Sequence, residues 1–156
     1  MSFNNPVSLQ KQMLNATRIC ICMPRDHDSF YAARECFQQI KGSDHWILLV
    51  LGREMELLAE HPGKTEVYPH ISKIPFPITE ESVKNIPAKF DIAIDLSPNP
   101  TPLTAYITGT RGKKMTIGLQ SGELDPFYTA LVNPHDNYKT SVKTMLGLAG
   151  LELRDD

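Results

Sequence analysis

Apolar residues occur along this chain in short runs bounded by turn formers, and the runs alternate between a two-residue and a 3.6-residue period. Residues 17 to 23, TRICICM, place Ile19 and Ile21 on one side of an extended chain and Cys20 and Cys22 on the other, which predicts a strand. Phe30, Ala33, Phe37 and Ile40 then share one helical face, which predicts a helix over about 29–41. Asp28 or Ser29 is its expected N-cap, and Lys41-Gly42 its expected end. HWILLVLG (45–52) reads as a second buried strand, REMELLAE (53–60) as a short helix closed by His61-Pro62-Gly63, and TEVYPHI (65–71) as a weaker third strand. A proline-rich stretch, 72–88, has room for one helical turn between Thr79 and Ile86. The run KFDIAIDLSPNP, 89–100, is apolar and β-branched through Leu96 and predicts a strand buried on both faces. PLTAYITG (102–109) follows as a helix with Gly109 as its stop, KKMTIGLQ (113–120) as a fifth strand, and 137–149 as a last helix ended by Gly150. DPFYTALVN, 125–133, reads equally as a strand or as an extended segment.

Strand and helix alternate often enough to predict an α/β fold: a single Rossmann-like domain over 17–153, with a mostly parallel sheet and helices on both faces. Residues 1–16 are read as an N-terminal arm. With right-handed crossovers, the strand near residue 92 lies beside the strand near residue 19, where the winding reverses. Ligands of open α/β sheets sit beyond the carboxyl ends of the strands at that reversal. The turns that meet there are PRDHDS (24–29) and DLSPNP (95–100).

Composition narrows the partners. A net charge of −2 over 156 residues gives no electrostatic case for nucleic acid, and no apolar run approaches the length of a membrane span. The first residues lack the basic and apolar regions of a signal peptide. Three cysteines form no closed disulfide framework, so a reducing cytoplasm is the expected compartment. Cys20 and Cys22 lack a second pair at ligand spacing and read as small core residues. No dinucleotide glycine fingerprint, P-loop, nucleophile elbow or Cys-x-x-Cys is present, so neither a cofactor nor a metal is expected.

The candidate chemistry is carried by carboxylates and amides of the strand-end turns: Arg25, Asp26, His27 and Asp28 after the first strand, Asp95, Ser97 and Asn99 after the fourth, Gln120, Ser121 and Glu123 after the fifth. A helix N-terminus favours the charged form of a carboxylate beside it. Asp26 could therefore accept a proton from an attacking hydroxyl, with Asp28, Asp95, Ser97, Asn99 and Gln120 binding the substrate. The competing reading makes Asp26 and Asp28 helix-capping and turn residues only. His27 between two aspartates does not make a metal site, because adjacent turn residues seldom converge on one ion.

Four stretches together resemble the N-terminal, acceptor-side half of the ADP-heptose:lipopolysaccharide heptosyltransferases, glycosyltransferase family 9, of GT-B fold. ICICMPRDHDSFYAARECFQQI is similar to that family's opening strand, turn and helix, and HWILLVLGREMELLAEHPGKTEVYPH to its second unit. FDIAIDLSPNPTPLTAYITGTRGKKMTIGLQ resembles its Asp-Leu strand with the helix, small-residue turn and Ile-Gly strand after it. NYKTSVKTMLGLAGLELRDD resembles the helix before its interdomain linker. The resemblance puts Asp26 where the family has its proposed general base, and Arg25 where it has a glycine that lets the acceptor sugar approach the backbone. It implies a sugar or glycolipid acceptor, in lipopolysaccharide or cell-envelope glycan synthesis, at the cytoplasmic side or at the periphery of the inner membrane. In that family a second domain binds the nucleotide sugar. The chain ends where such a domain would begin, so the expectations are transfer with a separate donor-domain protein, a binding module without catalysis, or a piece of a longer two-domain enzyme. From a different class, a non-catalytic Rossmann-like binding or regulatory protein, active as a homodimer, fits the same pattern. A flavodoxin-like phosphate binder fits less well, for want of a glycine-rich first turn.

Overall fold

The computed structural model describes residues 17–41, 45–50, 64–68, 74 and 77–154, apart from the side chains of 64 and 68. Six strands form one all-parallel sheet: β1 (Thr17–Cys22), β2 (His45–Val50), β3 (Lys64–Tyr68), β4 (Phe90–Asp95), β5 (Gly112–Leu119) and β6 (Ala130–Val132). Their order is β3-β2-β1-β4-β5-β6. The sheet therefore reverses between β1 and β4, as the alternating pattern predicts, with Ile19 opposite Ile92 and Cys22 opposite Asp95. The expected arm over 1–16, the helix over 53–60 with its His61-Pro62-Gly63 stop, Gly42 and the outer ends of the second and third strands lie outside the described residues.

The two-residue period of β1 separates two cores. Ile19, Ile21 and Met23 pack with Phe30 and Phe37 of α1 (His27–Gln38) and Met145 of α3 (Tyr138–Leu148). Cys20 and Cys22 face the other side, against Ala93, Val83, Ile86 and Ile107 of α2 (Pro102–Arg111). All three cysteines are free and buried. Full burial of a side chain such as Phe37 contributes about 1.5–3 kcal/mol. Helices thus cover both faces, and β1 from Ile19 onward and β4 from Ala93 onward are buried on both, which explains the apolar run of each strand's second half.

Local chemistry sets the helix ends. The N-cap of α1 is Asp26, not Asp28 or Ser29: its carboxylate accepts the Ser29 amide at 3.0 Å, and residues 27–29 already form the first turn. For α2, Thr101 and Thr104 form a reciprocal capping box, with Pro102 at the first helical position. Gly109 does not stop α2, which runs on to Arg111. The glycine instead permits close approach, since a Cβ there would lie 3.0 Å from the Phe127 carbonyl oxygen. Gly150, at φ 84°, takes the left-handed conformation after α3. Segment 125–133 resolves into a 3₁₀ turn, Asp125–Phe127, and the edge strand β6.

The helical turn expected between Thr79 and Ile86 is a single 3₁₀ turn, Glu81–Val83, closed by hydrogen bonds exchanged between Thr79 and Ser82. It is tied to α2 by Arg111, which is 1% exposed and donates to the carbonyls of Val83 (2.9 Å) and Ile86 (3.0 Å) while pairing with Glu80 at 3.1 Å. On the opposite face, Lys139 of α3 pairs with Glu35 of α1, and the tail returns to pair Leu153 with Ile40.

Candidate functional site

The carboxyl edge of β1 and β4 is where the sheet reverses, and the chain leaves β1 there directly into α1. Asp26 is exposed at this edge as the N-cap of α1. Its slight desolvation raises the carboxyl pKa, but hydrogen bonds from Ser29 outweigh that and hold it below the usual carboxylate range. Asp26 is therefore ionised at neutral pH. A carboxylate of lowered pKa is charged and open to a hydroxyl hydrogen bond at neutral pH, but is a weaker base than an ordinary aspartate. Asp28 is also exposed, with His27 Nδ1 at 3.4 Å from its Oδ1, a solvated pair. The His27 ring meets that of Tyr31 at a tilt, centroids 4.6 Å apart, and the Tyr31 ring in turn lies under Arg34.

Asp95 behaves differently from the expectation that it touches a ligand. It is 0% exposed, and both carboxylate oxygens are engaged: Oδ1 accepts the Ser97 amide at 3.0 Å and Oδ2 the Tyr128 hydroxyl at 2.7 Å. Burial raises its pKa, and the hydrogen bonds of Ser97, Thr104 and Tyr128 only partly offset this. Ser97 is buried with it, inside the turn. Asn99 and Gln120 are exposed, as a ligand-binding role requires. Ser121 and Glu123 are exposed too, and the amides of Ser121 and Gly122 converge on Asp125 at 2.8 and 3.0 Å, which fixes that turn internally.

Pattern reading alone misses two tyrosines that organise this edge. Tyr128 reaches Asp95 from the β5–β6 crossover, and burial first, then the Asp95 charge, pushes its hydroxyl far up in pKa. Tyr138, the first residue of α3, donates its hydroxyl to the Leu96 carbonyl. Its pKa is raised by burial first, then by the charges of Asp26 and Asp95. Beneath them, Thr108 donates to Cys22 Sγ at 3.6 Å. The Cys22 thiol is held well up by its hydrogen bond to Cys20 and by burial, so it is a core thiol and no nucleophile. Only the Thr-Pro-Leu-Thr spacing of the α2 capping box, which brings Thr104 to this cluster, was a signal open to sequence reasoning.

Among the described residues, no group of three or more His, Cys, Asp or Glu is placed to hold a metal, and no helix is long and apolar enough to cross a membrane. Comparison of the chain with family models, curated proteins and solved structures returns no match. The arrangement has the means to hold a hydroxyl-rich ligand: an ionised carboxylate at a helix N-terminus, and two exposed amide side chains on neighbouring strand-end turns.

Proposed function

We propose that this edge is the acceptor site of a glycosyltransferase-like domain of the heptosyltransferase type, acting in lipopolysaccharide or cell-envelope glycan synthesis on the cytoplasmic side. The observation that carries the reading is the exposed, ionised Asp26 at the reversal between β1 and β4. Asp26 accepts the hydrogen bond of the acceptor hydroxyl and takes its proton as the new glycosidic bond forms and the bond from the donor's anomeric carbon to its diphosphate breaks, the nucleoside diphosphate leaving. Asp28, Asn99 and Gln120 orient the sugar. The nucleotide-sugar donor is held by a second domain or a separate donor-domain protein, so this domain binds acceptor and does not transfer alone. Calorimetry with a heptose-containing core oligosaccharide tests this: binding weakened at least about tenfold by Asp26→Ala supports it, and equal binding by the variant refutes it.

A second reading rests on a different place. Phe127 and Leu131, 38% and 43% exposed, sit at or next to the three-residue edge strand β6. A non-catalytic regulatory domain that dimerises through that edge would use them. Light scattering separates the two readings, since a stable dimer that binds no oligosaccharide favours the second.

A further inference from the structure

The turn after β4 is gripped from two sides. From inside, Asp95 Oδ1 takes the Ser97 amide, the geometry by which an aspartate shapes its own turn. From outside, Tyr138 of α3 takes the Leu96 carbonyl. The Leu96 amide is itself committed to the Cys22 carbonyl of β1 at 3.0 Å. Asp95 is in turn held by Tyr128, whose ring lies so close over β5 that a Cβ on Gly118 would fall 2.7 Å from it. Burying a carboxylate costs several kcal/mol unless donors compensate, and an apolar residue would fill the same space at no such cost. Among the described residues Asp95 has no cationic partner. The groups facing it are the Ser97 hydroxyl of its own turn, the Cys22 thiol from β1, the two tyrosine hydroxyls, with Asp125 behind Tyr128 and Asp26 beyond Tyr138, and the hydroxyl of Thr104 from α2. Hydrogen bonds alone therefore hold it, and they are directional.

We propose that Asp95, Tyr128 and Tyr138 are positioning residues, which lock the turn from Leu96 to Pro100 in one conformation and so present Asn99 to a hydroxyl-rich ligand at the Asp26 edge. The ligand half of this statement rests on the acceptor reading above; the locking half does not. Asp95 thereby acts on the ligand through the turn, without touching it. Since Ser97 N–H reports directly on Asp95, the lock has a readable pH signature that plain packing lacks.

The test is a pH titration by nitrogen–proton NMR from pH 4 to 8, followed at the Ser97 amide, in the wild type and in Asp95→Asn, Tyr128→Phe and Tyr138→Phe, with core-oligosaccharide calorimetry on each. Expected is a Ser97 titration that vanishes in Asp95→Asn and whose midpoint rises by about one pH unit in Tyr128→Phe, because a donor to the carboxylate is lost. Tyr138→Phe leaves Asp95's own oxygens untouched, so it keeps the midpoint and loosens oligosaccharide binding about tenfold. A Ser97 profile that is the same in the wild type and in Asp95→Asn, or a midpoint unmoved by Tyr128→Phe, overturns the lock. The expected Ser97 behaviour in a wild type that binds no oligosaccharide overturns the acceptor and leaves the lock standing. Full affinity in Tyr138→Phe overturns the link between them.

Discussion

The ring of Tyr128 lies directly on the backbone of Gly118: a Cβ at Gly118 would meet three ring carbons at 2.7 to 2.8 Å. The absence of a side chain on β5 is what allows the tyrosine to cross that strand and reach Asp95 on β4. Gly118→Ala is expected to displace the ring and destabilise the protein by about 1–3 kcal/mol in urea unfolding. Tyr128→Phe, which leaves the buried carboxylate short of a donor, is expected to cost about 1.5–3 kcal/mol. The double variant should lose less than the sum, because both changes break the same contact.

Asp95 and Asp26 should tilt stability against pH in opposite directions. The folded-state pKa of Asp95 lies above its unfolded value, near 3.9, so from about pH 4 upward the native state holds the proton more tightly and this residue's contribution falls as pH rises through the raised value. Asp95→Asn should therefore gain stability relative to the wild type progressively as pH rises from about 4 through the raised value. Asp26 is the reverse case: its folded pKa is lowered, so its contribution is present above about pH 4 and is lost as pH falls through the lowered value. Denaturant unfolding at a series of pH values reads both slopes, and parallel curves for Asp95→Asn and the wild type would contradict the assignment.

Arg111 is a buried cation whose most enclosed partners are two carbonyls. Arg111→Met leaves the Val83 and Ile86 carbonyls without their donor, and should cost about 2–5 kcal/mol in unfolding experiments. Glu80 is the solvent-facing member of the pair, at 60% side-chain exposure, so Glu80→Gln should cost under about 1 kcal/mol. Equal losses would mean that the ion pair, rather than the carbonyl clamp, holds the 3₁₀ turn to α2.

The sheet is legible in the sequence because β1, β2 and β4 are apolar on both faces and bounded by turns, and because α1 and α3 carry clear 3.6-residue stripes. β6 is not legible: three residues following a proline-containing turn carry too little period to distinguish a strand from an extended link. Gly109 misleads because a glycine can mark either a helix stop or a close contact, and only the position of Phe127 decides. The site follows the same division. That the Asp26 and Asp95 turns share an edge follows from strand order. That Asp95 is enclosed does not, since its partner Tyr128 stands 33 residues away, and Tyr138 stands 42 residues from Leu96, with no local pattern to link them.

Capping and ligand binding by Asp26 can be separated by choice of substitution. Asparagine keeps the cap but not the charge, while alanine keeps neither, so Asp26→Ala should cost about 1 kcal/mol of stability and Asp26→Asn less, only the share that the ionised carboxylate adds above about pH 4. Thermal unfolding checks this, and it supplies a folded variant without the charge.

The most direct test of the acceptor site is a chemical-shift map of the wild type titrated with a heptose-containing core oligosaccharide. Saturable shifts confined to the amides of Arg25 to Asp28, Asn99 and Gln120, and abolished in Asp26→Asn, are the predicted result. Shifts centred on Phe127 and Leu131, or no saturable shift at any concentration, would contradict it.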